Sequence, residues 1–595
     1  MSTTIQIPRL RVIGACGLLA MICSTAAGAY FGPLFGGTAA LMACWLLFVL
    51  ICCLKPSRRE TAASLTLGGF FAVMRVLGYS YDTIDSYGLI LKNGKTLLCG
   101  AAAALALTLT AACAVLLLLR LSGTLANMAA RTDEANPQQR RRLFFTCAAV
   151  IFAGSVPYLM LYWPGLNIFD THDQLLQFYG FPSYIGDGSA LSDHHPVFLT
   201  VVYAAFMKLG LLFSNANIGQ AAYSVVSMAA VALCFAYALV TLYDAGVSAR
   251  ALRVFALLIA LYPVFALYAF NMCKDVSVEP FVLLYAAQII RLEKSRGAAL
   301  KDRRFCAGFA VNMLLMMLTR KPSMYALLFA APFFILRYKG VRVRMAALTL
   351  SAVMLFQVGY VKVMLPAAGV VAGETREMLS IPFQMTVRYL NTYPQDVTQQ
   401  ELDAVYRIIT PESVPDYDPR LSDPIKDYTT PGFTGGDLAA YLRAFVSMGL
   451  RHPGVYLDAW LNMVYGYFYP SDSNTIVCLT LNSPDEGGMN LTQRPSLASA
   501  RLQLHDFIYF TLRKIPGAGA LFYVDTVTWA FLFVLTALLL KKGFGALCPW
   551  MFFVGTLGIC MLSPKSGEIR YLMPILYALP VMLGSLLLPC DKEKA

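Results

Sequence analysis

The chain is 595 residues long, 58% apolar and only 14% charged, with a mean hydropathy of +0.61. A soluble protein carries about 25% charged residues, so a water-soluble globular fold is excluded, and apolar runs able to cross a ~30 Å hydrocarbon core recur from end to end. The formal charge of +13 does not point to nucleic acid, because most Lys and Arg stand in short loops between apolar runs, where they set topology.

In chain order, basic clusters at Arg9/Arg11, Lys55/Arg58/Arg59, Arg140 to Arg142, Arg250/Arg253, Arg291 to Arg304, Arg337 to Arg344, Lys541/Lys542 and Lys592/Lys594 mark the cytoplasmic side. Spans between them are expected at 12–30, 34–53, 62–79, 97–119, 143–163, 219–243, 253–271, 277–292, 305–319, 323–338, 344–365, 518–540, 545–562 and 571–589. The expectation is an all-α polytopic membrane protein with about fourteen transmembrane helices and both termini cytoplasmic. Nothing resembling a cleavage site follows the first run, which reads as a retained helix. Residues 197–213 are apolar, but counting them as a span would put the bases of 291–304 outside, so they are laid in the outer interface.

Four regions follow: a four-helix addition at 1–142, a seven-helix module at 143–365 with an outer loop at 164–218, an extracytoplasmic domain at 366–517 and a three-helix membrane segment at 518–595. The centre of the outer domain, 410–434, is rich in Pro and Asp and reads as irregular. Of the fifteen cysteines, nearly all lie inside apolar runs. Cys273 and Cys478 alone are expected near water, which argues against a disulfide framework.

Chemistry concentrates in the first outer loop. Residues 167–196 hold Asp170, Asp173, Asp187 and Asp193 with no Lys or Arg, and His172, His194 and His195 from a total of five histidines. If 170–179 is helical, Asp170, Asp173, Gln174 and Gln177 share a face. A partly desolvated carboxylate there suits general-base work. Pro196 then opens the interfacial helix, whose free N–H groups, with His194 and His195, could meet an anion. Asp170, His172 and Asp173 could instead hold a divalent ion such as Mg or Mn.

Further outer charges break the positive-inside trend. They are Lys274 and Asp275, with Glu279 just inside the next helix; Arg320 and Lys321 in a Thr-Arg-Lys-Pro turn; Arg376 and Arg388; and Arg570 beside Tyr571 before the last helix. Bases kept outside against that bias suit a lipid phosphate. Gly94-Lys95-Thr96 tempts as a phosphate loop, but its preceding glycine is misplaced, so ATP hydrolysis is rejected.

An acidic motif after a span, a His-Pro start to an interfacial helix and Asp275 after the module's third span stand in a fixed order. Thr319-Arg320-Lys321-Pro322 and Arg570-Tyr571-Leu572-Met573-Pro574 complete it. In this order the chain resembles the GT-C superfamily of membrane glycosyltransferases, over about residues 143–589. The resemblance implies a polyprenyl-phosphate sugar as donor, a glycan, lipid or protein as acceptor, and chemistry on the outer side of the cell membrane. It places the catalytic carboxylate at Asp170, with Asp173 as rival, matches Asp275 to the second outer acid, and gives the lipid phosphate to Arg320, Lys321 and Arg570. Lys274 beside Asp275 departs from the family pattern. A transporter or flippase, or a polysaccharide polymerase or ligase, stand as alternatives.

Overall fold

A computed structural model describes residues 56–131, 134–515 and 517–588. The spans expected at 12–30 and 34–53, and Arg9, Arg11, Lys55, Lys592 and Lys594, lie outside the described residues. The described chain is mostly helical, with almost no strand. It opens with α1 (Arg58–Ile84), α2 (Gly94–Ala129) and α3 (Pro137–Leu161). Gly94-Lys95-Thr96 turns out to be the start of α2, where Asn93 and Thr96 cap each other.

A two-residue strand β1 (Leu166–Asn167) leads to α4 (Phe169–Phe178), α5 (Val197–Leu211), α6 (Ala216–Ala245), α7 (Ala249–Leu261) and α8 (Pro263–Ala269). The run expected at 253–271 is therefore broken. Pro263 supplies no N–H and disfavours helix at the residue before it, and the two halves meet at 70°. Strand β2 (Asn271–Met272) follows, then α9 (Glu279–Lys294), α10 (Arg303–Thr319), α11 (Ser323–Arg337) and α12 (Lys339–Ala367). Residues 366–517, the expected outer segment, contribute α13 (Ser380–Thr392), α14 (Gly435–Arg451) and α15 (Pro453–Val464), and the chain closes with α16 (Val524–Lys542), α17 (Phe544–Cys560) and α18 (Ile569–Leu586).

Seven described helices are long and apolar enough to cross a membrane: α1, α2, α3, α6, α12, α16 and α18, with α7–α8 an eighth if the bent pair is one span. The architecture is that of an all-α membrane protein. Helices α9, α10 and α11 have 16, 17 and 15 residues, short of the ~20 that a 30 Å core asks for.

One large core joins α3, α6, α9, α16, α17 and α18. A second, built from Phe383, Val387, Tyr389, Val405, Ile409, Tyr441 and Met448, belongs to the outer segment alone. The outer segment is not uniform, because from Val464 through Phe468, Ile476 and Ile508 its side chains join the large core. Apart from the short helix Asp423–Lys426 and a single turn at Pro411–Ser413, the stretch 410–434 is irregular, as its Pro and Asp content implies. Cys273, expected near water, is fully buried; it follows β2 directly and points into the core while Lys274 turns the other way.

Candidate active site

The site begins with two polar residues on an apolar helix. Gln220 and Ser224, one turn apart on α6, are both fully buried. Gln220 Nε2 donates to the Leu166 carbonyl at 3.2 Å, and Ser224 Oγ lies 3.1 Å from the Pro164 carbonyl oxygen and 3.3 Å from that of Phe270. The chain reaches α6 closely at Gly165, whose φ is +146° and where a Cβ would stand 2.1 Å from the Ser224 hydroxyl. Only glycine suits that position.

These anchors bring β1 and β2 together as a parallel pair, Leu166 opposite Asn271 and Asn167 opposite Met272. In a parallel pair both chains leave by the same end. Asp170 emerges just beyond β1, and Lys274 and Asp275 just beyond β2. The Thr171 hydroxyl donates to the Met272 carbonyl and fixes the start of α4 against β2. On its other edge β1 is held by residues 480–482: Asn167 N donates to the Thr480 carbonyl at 3.1 Å and its Nδ2 to the Asn482 carbonyl at 2.9 Å.

Lys274 Nζ lies 3.1 Å and Arg570 Nη1 3.4 Å from the same oxygen of Asp170, Oδ2. Arg570 stands at the start of α18, where the Glu568 carboxylate caps the helix and pairs with Arg570 Nε at 3.3 Å. Lys565 reaches the other Glu568 oxygen at 2.7 Å. Lys274 Nζ is also 2.8 Å from His195 Nδ1. An ammonium can only donate, so Nδ1 accepts and the imidazole is neutral with its proton on Nε2. Three well-separated segments thus meet on one carboxylate.

The other expected bases lie close by. Arg320 Nε is 3.7 Å from Asp275 Oδ1, and its Nη2 donates to the Tyr571 carbonyl at 3.1 Å. Lys321 Nζ is 2.8 Å from Asp193 Oδ1. The edge of the His194 ring meets His195 at 4.6 Å. Glu279 is wholly buried at the head of α9, with neither carboxylate oxygen hydrogen-bonded; its nearest charges are Arg320 and Asp275.

Electrostatics separate the two rival aspartates. Burial pushes the Asp170 carboxyl up, but Lys274, His195 and Arg570 together hold it below the usual carboxylate range. Asp173 faces His172 at 3.8 Å, its side chain only 3% exposed against 25% for Asp170. Burial dominates there and pushes it up to about 6. Burial and Lys274 push His194 down to about 4, and the same two causes hold His195 well below the ordinary histidine value. Lys274 is raised: burial acts against its charge, but Asp170 and Asp275 outweigh it.

Two expected groupings do not form. Arg388 lies elsewhere, on α13, where it pairs with Asp458 and donates to the Asp85 carbonyl at 2.8 Å. It belongs to a clasp between the outer segment and the end of α1. There Arg420 meets Asp85 at 2.9 Å, and the Tyr81 hydroxyl donates to Asp458 at 2.9 Å. Asp170, His172 and Asp173 do not converge either: among the described residues no three His, Cys, Asp or Glu side chains are grouped to hold a metal ion. Asp170 turns to the cations and leaves the other two facing each other.

The rim of the site is aromatic. Phe169 and Tyr184 are both exposed, 6.2 Å apart between ring centres, and His172 stacks on Phe169 at 5.9 Å. No role for this rim, for Glu568 or for Gln220 and Ser224 is expected from the sequence. A polar pair one turn apart in an otherwise apolar helix was the visible signal for the last two.

A family of unknown function, DUF6020, matches residues 181–593. The chain belongs to the DUF6020 family. No curated protein and no solved structure matches it. The DUF6020 match takes in His194, His195, Lys274, Asp275, Arg320, Lys321 and Arg570, while Asp170 and Asp173 precede it.

Proposed function

We propose that this DUF6020 protein is a membrane glycosyltransferase of the GT-C type, which moves a sugar from a polyprenyl-phosphate donor to a glycan, lipid or protein acceptor outside the cell membrane. The observation that carries this reading is the meeting of Lys274 and Arg570 on Asp170, with Arg320 and Lys321 nearby on the α10–α11 turn. A carboxylate held among cations suits a reaction that binds a phosphate and takes a proton in the same place.

The acceptor hydroxyl attacks the anomeric carbon, the bond from that carbon to the phosphate oxygen breaks, and the electron pair leaves with the phosphate. Asp170 takes the hydroxyl proton. Lys274 and Arg570, with Arg320 and Lys321, meet the departing charge, and such preorganised donors act most strongly where water is scarce. The cluster is nearly charge-balanced when empty. A donor phosphate therefore competes with Asp170 for Lys274 and Arg570, and its arrival frees the carboxylate to act as base. Phe169 and Tyr184 offer flat apolar faces to a sugar ring at the rim.

In this reading the broken pair α7–α8 and the short helices α9, α10, α11 and α17 bring the seven long helices to twelve spans, and the two expected at 12–30 and 34–53 make about fourteen. The transporter alternative needs charge near the bilayer midplane. Among the described residues the ion pairs between membrane-length helices, Arg75 with Asp525 at 2.8 Å, Arg120 with Glu60 at 3.0 Å and Arg140 with Asp244 at 3.0 Å, instead each engage an acid in the first or last turn of a helix.

The test is to incubate the purified protein with a panel of polyprenyl-phosphate sugars and follow release of polyprenyl phosphate. Asp170→Asn should slow release by about 10²–10⁴-fold, the range of general-base contributions, with an unchanged melting temperature. Wild-type activity in that variant removes Asp170 as the base; no release from any donor removes the reading.

A further inference from the structure

The helix ends remote from the candidate active site carry a second charged cavity. Its volume is about 590 Å³, and it lies between the start of α3, the ends of α6 and α9 and the short turn after α9. Helix α6 runs between the two places. Gln220 holds strand β1 near one end, and Asp244 lies about 36 Å further along the axis at 1.5 Å per residue.

Among the described residues three cations line this cavity against a single carboxylate: Arg140, Arg291 and Lys294 against Asp244. Arg140 Nε is 3.0 Å from Asp244 Oδ2, Lys294 Nζ donates to the Asp244 carbonyl, and Arg291 Nη1 donates to the Tyr237 hydroxyl at 3.2 Å. The Arg291 guanidinium also rests over the Phe305 ring at 5.1 Å, which fixes its plane. An arginine has five N–H donors and a lysine three, so these bonds use a small part of what the wall offers. Small residues complete the lining and leave the cations uncovered. Bases that merely reach water beside a bilayer need no cavity. Here they line a half-open one whose size falls within the ~300–1,000 Å³ of ordinary ligand pockets.

We propose that this cavity is a binding site for a phosphate-bearing anion, the chemistry shared by an anionic lipid headgroup and free phosphate. Its place at the ends of α3 and α6, both of membrane-crossing length, sets it at the depth of lipid headgroups, where basic pockets between helices select anionic lipids. The site is independent of the transferase reading, because it shares no residue with the Asp170 cluster.

The full-length protein, stripped of lipid in detergent, is offered phosphatidylglycerol, phosphatidylcholine or inorganic phosphate. Native mass spectrometry reads the lipids and thermal shift reads the phosphate. Phosphatidylglycerol is expected to be retained over phosphatidylcholine, and the double variant Arg291→Gln/Lys294→Gln to weaken it on the order of tenfold. Ser295→Glu, which leaves every cation in place but adds an acid to the wall, should act in the same direction; Lys294→Arg should bind as the wild type does. Stabilisation by inorganic phosphate without any lipid preference, lost in the same variants, assigns the site to free phosphate. Equal retention of both lipids with no phosphate effect, or unchanged binding in both charge-lowering variants, overturns the proposal.

Discussion

Asp170 and Asp173 stand three positions apart on one short helix, yet their surroundings favour opposite protonation states. Asp170 meets two cations and stays ionised in acid; Asp173 is buried beside a single histidine and is pushed up to about 6. A general base works only when ionised. If Asp170 is the base, kcat/KM for sugar transfer is flat between pH 5 and 7 and falls only below the ordinary carboxylate value of about 4. If Asp173 is the base, kcat/KM falls as pH drops through about 6. One pH–rate profile decides between them. Lys274→Met should cost about 10²–10³-fold in kcat, as loss of one donor to a developing charge does elsewhere. Asp170, Lys274, Arg320, Lys321 and Arg570 were legible in the sequence as site residues, but their pairing was not. Lys274 stands beside Asp275 in the chain, and a parallel strand pair of two residues, too short for any periodic signal, aims it at Asp170. Arg388 was misplaced for a related reason: a base in an outer loop does not reveal which of several outer acids it meets.

At the level of elements, the site depends on how α3 hands over to α4. Gly165 crosses α6 in a conformation that an L side chain adopts only under strain, and with no room for a Cβ. Gly165→Ala should destabilise the protein by about 1–3 kcal/mol, seen as a lower melting temperature in detergent. Transfer should be lost as well, because β1 and therefore Asp170 would be displaced. A variant as stable and active as the wild type would mean that the handover is not rigid. The longer helices could be read from apolar runs flanked by bases, and α4 and α5 emerged almost as expected, α5 beginning at Val197 with Pro196 as its cap. What could not be read was the break at Pro263, because an apolar run looks the same whether straight or bent by 70°.

For the whole molecule, the Asp170 cluster and the basic cavity lie, in the proposed reading, on opposite sides of one bilayer, about 36 Å apart along α6. In a background without the fifteen native cysteines, Ser189→Cys beside the aromatic rim and Lys301→Cys beyond α9, both at exposed positions, give a direct check. A membrane-impermeant maleimide added to intact cells should label the first and spare the second. Labelling of both, or of Lys301→Cys alone, would reverse the topology and the compartment of the chemistry with it. The clasp that engages Arg388 also bears on how far this protein can be shortened. A version trimmed to residues 181–593 would part with Asp170 and β1, and equally with Tyr81, Asp82 and Asp85. Arg420 would then face water where two carboxylates had been, and Asp458 would keep only one of its companions. The end of α1 is thus a keystone for the outer segment, and any shortened form that keeps the clasp retains Tyr81, Asp82 and Asp85.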